Sequence, residues 1–323
     1  MSTVRIFFHN HCFDGSASAA VFTALYRSAR GDSDFEYRGL THKANNMFSA
    51  AEFTGDENAI VDFKYSPDPR VNWWFDHHQS AFLSPADGDH FRQEHSPQKF
   101  YDPNYGSCTQ FIADIGKRHF GFDPQPLAEL IHWADIIDRA LFPSAAAAVQ
   151  LEEPALKLTL AIEASTNPAL IPRLIPDYLQ APLAELVQRD YVQRELQPLL
   201  DRHWKSLDII KSRLECKQGV ISFDVSDLDL EGYNKFIPYY FCPEGIYSIG
   251  VSRSQYRMKV SVGSNPWNPI PDLVNLAELC ERYGGGGHAR VGAISFPPDQ
   301  PEQARAAARE IVAQLRASQG DKP

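Results

Sequence analysis

Residues 71–78 read Val71-Asn72-Trp73-Trp74-Phe75-Asp76-His77-His78. A short apolar run rich in β-formers stops at one carboxylate and two imidazoles. Such a run, bounded by polar residues, predicts a strand. Working outward, the pattern repeats. Val4-Arg5-Ile6-Phe7-Phe8 leads into the loop His9-Asn10-His11-Cys12-Phe13-Asp14-Gly15, and Ala59-Ile60-Val61 stops at Asp62. Lys99 to Tyr101 reads as a further short strand. Between the strands lie helical segments. Ser16 to Ser28 places Ala17, Val21, Ala24 and Leu25 on one face of a 3.6-residue period, and Ser107 is an N-cap for a helix through Ile115. The rhythm predicts an α/β fold with a mostly parallel sheet and flanking helices.

Beyond this region, Leu127 to Leu141 reads as a helix carrying Asp135 and Asp138, and residues 143–215 are largely helical, with one or two long helices over Leu183 to Leu214. After Cys216 the pattern alternates: Gly219 to Phe223, Tyr247 to Val251 and Met258 to Val262 read as strands. A glycine run, Gly284 to Gly287, precedes a last strand, Val291 to Phe296, and Pro301 opens an Ala-rich helix ending near Ser318. These features predict a first domain over 1–215, its residues 180–215 a helical connector. A smaller α/β domain over 216–323 would face it across a cleft.

A chain of 323 residues suits two domains. Its 31 Lys+Arg against 41 Asp+Glu give a net charge of -10. That balance argues against tight binding to long nucleic acid, which needs a basic face. No apolar stretch has the length of a membrane span. Five cysteines, none in a CxxC, argue against a disulfide scaffold and for a reducing cytoplasm. Cys108, Cys216 and Cys280 read as small buried hydrophobes.

The chemistry lies in the strand ends. In an open parallel sheet, residues at the carboxyl ends of the strands converge near the switch in strand order. Several carboxylates gathered there are costly without cations. Oxygen and imidazole donors suit manganese or magnesium, and two such ions about 3.5–4 Å apart activate a water and clamp a phosphoryl group. Asp135 and Asp138, at i and i+3, share one helical face; Asp135 is favoured as the ligand and Asp138 as a cap or ion-pair partner. In the second half, consecutive glycines let backbone N–H groups approach an anion. His288 is placed to donate to a phosphate, Arg253 offers a planar fork, and Arg290 is a weaker candidate.

Together these residues carry a resemblance. Asp76-His77-His78 after an apolar strand, with upstream His9…Asp14-Gly15-Ser16-Ala17-Ser18-Ala19 and Asp62, resembles the DHH phosphoesterase superfamily. Asn104-Tyr105-Gly106-Ser107-Cys108-Thr109 is similar to that family's helix-opening segment. Asn265-Pro266-Trp267-Asn268 and Tyr283-Gly284-Gly285-Gly286-Gly287-His288 are similar to its associated C-terminal domain.

The resemblance implies a metal-dependent, usually manganese-dependent, phosphoesterase with two ions per chain, manganese or magnesium. Carried over position by position, it implies His9 and Asp14 as first-loop ligands and Asp62 as a bridge, with His77 and Asp135 completing the second site. Asp76 would be a ligand or would orient His77, and His78 would face the substrate phosphate, making Asp76 and His78 the catalytic pair. Gly285, Gly286, Gly287 and His288, with Arg253, would hold one end of the substrate.

The implied reaction is attack of a metal-bound hydroxide on a small nucleotide phosphodiester or phosphomonoester: a short oligonucleotide, a cyclic dinucleotide or a nucleotide bisphosphate. A homodimer is left open. The chain departs from the family's Asp-x-Asp loop at Cys12, where the first aspartate is expected. Either His9 or His11 compensates, or Cys12 binds as thiolate, or the first metal site is weak. Two other readings stand beside this one: a pyrophosphatase or polyphosphatase, for which the basic residues look sparse, and a non-enzymatic nucleotide sensor with a degenerate metal site.

Overall fold

Each apolar run of the first half becomes a strand of one sheet. The computed structural model describes residues 2–41, 48, 50–230 and 232–320. In chain order the first elements are β1 (Thr3–His9), α1 (Phe13–Arg30), β2 (Asp34–Leu40), β3 (Glu57–Val61), β4 (Val71–Asp76), α2 (Pro85–Glu94), β5 (Lys99–Tyr101), α3 (Cys108–Phe120) and α4 (Ala128–Asp138). Five more helices come next: α5 (Ala145–Gln150), α6 (Pro154–Ala164), α7 (Leu170–Asp177), α8 (Leu183–Gln188) and α9 (Asp190–Arg213).

The strands lie in the order β2-β1-β3-β4-β5 and every neighbouring pair is parallel. The chain steps from β1 to β2 on one side and then to β3 on the other, so the strand order switches between β1 and β3. That crevice is where open parallel sheets bind their ligands. The register brings Phe8 level with Val61 and Val61 level with Phe75, so His9, Asp62 and Asp76 emerge along one edge. β3 and β4 are almost wholly buried, and β1 is buried over Ile6 to Phe8, which is why these stretches read as apolar runs rather than alternating ones.

Trp73 and Trp74 are both buried, on opposite faces. Trp73 meets Phe22 and Tyr26 of α1 at ring distances of 5.6 and 6.1 Å, and Trp74 meets Tyr65 and Phe91 at 4.8 and 5.1 Å. α1 begins three residues earlier than its periodicity predicts and is buried almost all round its first three turns. Its small residues permit this. It packs against α3, α4, α6 and α7 as well as the sheet, and Ser18 and Thr109 hydrogen-bond across the α1–α3 contact at 3.1 Å.

The second sheet is built from β6 (Glu215–Lys217), β7 (Val220–Asp229), β8 (Tyr247–Arg253), β9 (Met258–Ser264), β10 (Gly286–His288) and β11 (Val291–Phe296), with α10 (Ile237–Phe241), α11 (Leu276–Glu281) and α12 (Pro301–Gly320). Its order is β10-β11-β9-β8-β7-β6, antiparallel except for β7 with β8. The apolar face of α12, Ala304, Ala308, Ile311 and Leu315, seals one side of this sheet over Ile249, Val251, Val260 and Ile294.

The chain divides into two compact units, Met1–Phe142 with Leu151–Leu199, and Pro143–Gln150 with Leu200–Pro323. The division falls inside α9, within the stretch 180–215 expected as a helical connector. The segment 143–150 joins the second unit because its carbonyls accept hydrogen bonds there. Asn234 Nδ2 donates to Ala148 at 2.8 Å, and His203 Nε2 to Val149 at 2.8 Å. Cys216 departs from its reading as a small buried hydrophobe: it forms a disulfide with Cys242. Cys12, Cys108 and Cys280 are free thiols. No helix among the described residues is long and apolar enough to cross a membrane.

Candidate metal centre

The first loop turns sharply after β1, and Gly15 makes the turn possible. A Cβ there would run into the His9 carbonyl oxygen. His11 sits in the left-handed region at φ 56 and its Nδ1 donates to the Ile162 carbonyl at 3.2 Å. His11 is thus engaged elsewhere, while Cys12 takes the N-cap position of α1. Asp14, in the first turn of α1, is buried and serves two ends at once. Its oxygens accept the Cys108 and Thr109 backbone N–H groups of the first turn of α3 at 2.7 and 3.0 Å, and one of them lies 3.7 Å from His77 Nε2. Ser107 caps α3 as the sequence predicts, accepting from Gln110 N at 3.2 Å.

Asp62 is the centre of the arrangement. It leaves β3 at φ 55, held by its N–H to the Phe75 carbonyl at 2.9 Å. Its carboxylate is 1% exposed, and neither oxygen has a hydrogen-bond partner among the described residues. Three imidazoles surround it: His77 Nε2 at 3.4 Å, His9 Nδ1 at 3.5 Å and His78 Nδ1 at 3.8 Å. Burying a carboxylate that no hydrogen bond satisfies costs several kcal/mol, and the three imidazoles offset that cost only when protonated, so this side chain is placed for something that carries positive charge.

Asp76 Oδ1 accepts from the backbone of His77 and His78 at 2.8 and 3.2 Å and from His78 Nδ1 at 2.7 Å. Oδ1 therefore orients His78, where Asp76 was expected as a ligand or as the group orienting His77, and the buried Oδ2 has no hydrogen-bond partner among the described residues. His77 is set by a different group: its Nδ1–H donates to the Tyr105 carbonyl at 3.1 Å. That bond occupies Nδ1 and leaves Nε2 as the atom that faces the carboxylates, protonated while no cation is bound and open to a metal once that proton leaves.

Asp135 is not brought into this cluster. Its carboxylate accepts from Arg139 Nη1 at 3.0 Å, one turn on, and would also meet a Cβ at Gly106. Asp138, at the end of α4, faces His77 instead, with Oδ2 3.6 Å from Nε2. The Arg139 side chain four residues after Asp135 was the available signal, because an i,i+4 ion pair occupies a carboxylate.

Three sets of donor atoms, each within 4.8 Å, result: His9, Cys12 and Asp62; Asp62, His77 and His78; Asp14, His77 and Asp138. Asp62 and His77 belong to two sets each, as expected of groups shared by neighbouring ions. The electrostatics agree. Burial pushes Asp14 well up, reinforced by Asp62 and Asp138. Burial and the Asp62 charge raise Asp138 to about 6. Burial works against ionised Asp62 too, yet the His77 and His9 imidazoles pull it down to about 2. His77 is opposed by burial and still held up at about 10 by Asp62, Asp14 and Asp138. Burial, with Asp62 and Asp14, also raises the Cys12 thiol. Without cations, protonated imidazole supplies the missing positive charge. The orphaned oxygens and the O,N-rich donor set fit divalent ions.

The second unit's candidates are dispersed. Gly287, at φ 152, would drive a Cβ into the Val291 carbonyl, and a Cβ at Gly285 would meet the Ala293 carbonyl, so both are demanded by strand packing. A Cβ at Gly286 meets nothing within 4 Å. His288 is exposed and pairs with Val291, which is level with Gly263 and Ser248. Arg253 is five residues further along β8 and three strands away, about 17 Å along the strands and about 14 Å across them. Arg253 and His288 therefore do not form one anion pocket. Arg290, two residues on, is the cation that neighbours His288 in the chain.

No family model matches the sequence, and no curated protein matches it. Solved structures do. A pGpG-specific phosphodiesterase, PggH of Vibrio cholerae, is similar over 98% of this chain and 99% of its own at 18% identity, with a TM-score of 0.70. The DHH domain of a member of a ribosomal-protein family is similar over 96% and 86% at 15% identity, TM-score 0.59. RecJ of Thermus thermophilus in complex with Mn2+ is similar over all of this chain and 52% of its own at 13% identity, TM-score 0.54. The two-sheet architecture and the Asp/His-lined edge of the first sheet thus give the chain the fold of the DHH-domain proteins.

Proposed function

We propose that the chain is a metal-dependent phosphoesterase that hydrolyses small nucleotide phosphodiesters or phosphomonoesters. The observation that carries this reading is Asp62: a buried carboxylate with two unpartnered oxygens, ringed by His9, His77 and His78. His9, Asp14, Asp62, His77 and Asp138 would hold the ions, with manganese as the working ion. The bound pair would supply Lewis acidity and a water acidified toward neutral pH.

The protein's own part is positioning. His77 keeps Nε2 free because Nδ1 is tied to Tyr105. His78 is the more open of the two rings, 38% against 8% exposed. The Asp76 hydrogen bond raises its pKa, so it is fitted to donate to a phosphoryl oxygen, the electrostatic role that dominates phosphoryl transfer. Gly286, His288 and Arg290 are the second unit's candidates for a substrate phosphate.

The chain's net charge of -10 favours small substrates. The similar Vibrio protein acts on pGpG, and a linear dinucleotide is the first substrate to try. A hydrolysis panel with manganese tests the reading on a linear dinucleotide, a cyclic dinucleotide, a nucleotide bisphosphate, pyrophosphate and a longer single strand. Turnover of the dinucleotide above the longer strand is expected. Turnover of pyrophosphate alone would identify a phosphoanhydrase. Nucleotide binding with no metal-stimulated turnover would identify a sensor.

A further inference from the structure

The donor sets of the centre are not chemically alike. Asp14, His77 and Asp138 offer oxygen, nitrogen and oxygen, whereas His9, Cys12 and Asp62 offer nitrogen, sulfur and oxygen. Cys12 stands at the N-cap of α1, where its side chain makes no capping hydrogen bond. His11, the neighbouring imidazole that would replace it, donates to Ile162 instead. The Cys108 thiol faces the Phe75 carbonyl at 3.4 Å. Cys216 and Cys242, which lie with Glu244, are spent in their disulfide. Among the described residues, one sulfur is thus gathered with a buried carboxylate whose oxygens accept no hydrogen bond.

We infer that the two ends of the centre select different ions: Cys12 binds as a thiolate, with His9 and Asp62, in a position that prefers thiophilic ions such as zinc, cobalt or iron(II), while Asp14, His77 and Asp138 hold a hard ion such as manganese. The inference rests on the metal-centre reading given above. Thiolate, imidazole and carboxylate together are a zinc-like set, and manganese stands lowest among the first-row ions at such a site. On binding, the Cys12 S–H bond breaks as the sulfur–metal bond forms, and the proton leaves to solvent.

The test is a cobalt titration of the full, metal-free chain, with its disulfide intact. A sulfur-to-cobalt charge-transfer band in the near ultraviolet is expected, saturating at one thiolate per chain. It is lost in Cys12→Ser and retained in Cys280→Ala. Cys12→Asp should strengthen manganese binding about tenfold and weaken zinc binding by a similar factor. Should Cys12→Ser not fold, alkylation of the wild-type chain, read by peptide mass spectrometry, gives the same answer: zinc should protect Cys12 and manganese should not. Cobalt binding without the sulfur band, or equal protection by both ions, overturns the inference and leaves the metal centre standing. A chain that binds neither cobalt nor manganese overturns both.

Discussion

The end of the first sheet and the glycine strand of the second use the same kinds of residue to opposite ends. At the first, Gly15 and the left-handed Asp62 fold the chain so that polar side chains are driven inward, and atoms of Asp62, Asp76 and His77 are buried there without a hydrogen bond. At the second, Gly285 and Gly287 are accounted for by the carbonyls they pack against, and His288 stands in solvent. The difference teaches where to look for chemistry. A glycine run is explained by strands that approach closely, but a buried carboxylate with no hydrogen bond, ringed by imidazoles, is not explained by folding. Polar groups inside a protein are nearly always satisfied, so the exceptions are informative.

The strongest attempt to break this contrast removes its centre. Asp62→Asn should abolish tight manganese binding and lower hydrolysis about 10³-fold or more, while Arg253→Gln leaves the metal content unchanged. Elemental analysis and a turnover assay read both. A second attempt compares neighbours on α4. Asp138→Asn should weaken metal binding about 10–100-fold, whereas Asp135→Asn, which loses only the Arg139 pair, should change it little; calorimetric titration separates the two.

The glycines give the next contrast. Gly15→Ala forces a Cβ on the His9 carbonyl and should cost about 2 kcal/mol or more, while Gly286→Ala should stay within about 0.5 kcal/mol, measured by denaturant unfolding. The smallest effect concerns imidazoles. His77 is held charged by its carboxylates, whereas burial lowers the pKa of His203 even though it is hydrogen-bonded to Val149. A folded-state pKa below the unfolded value of about 6.5 means the unfolded chain binds the extra proton first. Stability contributed by neutral His203 is then present above that pH and lost as pH falls through the window below it. His203→Gln should flatten the acid side of the stability profile.

The centre was legible because parallel strands buried on both faces are written as unbroken apolar runs, and the polar residues at their carboxyl ends are then conspicuous. β2 was not legible in this way. Asp34–Leu40 is an edge strand with four charged or small residues among seven, and its partner supplies the order. The choice between Asp135 and Asp138 turned on helix phase at the last turn of α4, which a shared face does not resolve. The separation of Arg253 from His288 comes from strand order in the second sheet, a property of pairing rather than of any local stretch. The Cys216–Cys242 bond joins residues 26 apart with no motif to announce it.

One carboxylate ties the centre to the fold in a further way. Asp14 holds the first two amides of α3, and the oxygen that accepts from Cys108 is also the one that faces His77. Electron density drawn from that carboxylate toward a cation is density withdrawn from those two amides. The start of α3 is therefore a built-in reporter of occupancy: solvent deuterium should enter at Cys108 and Thr109 at a rate that depends on whether an ion is aboard.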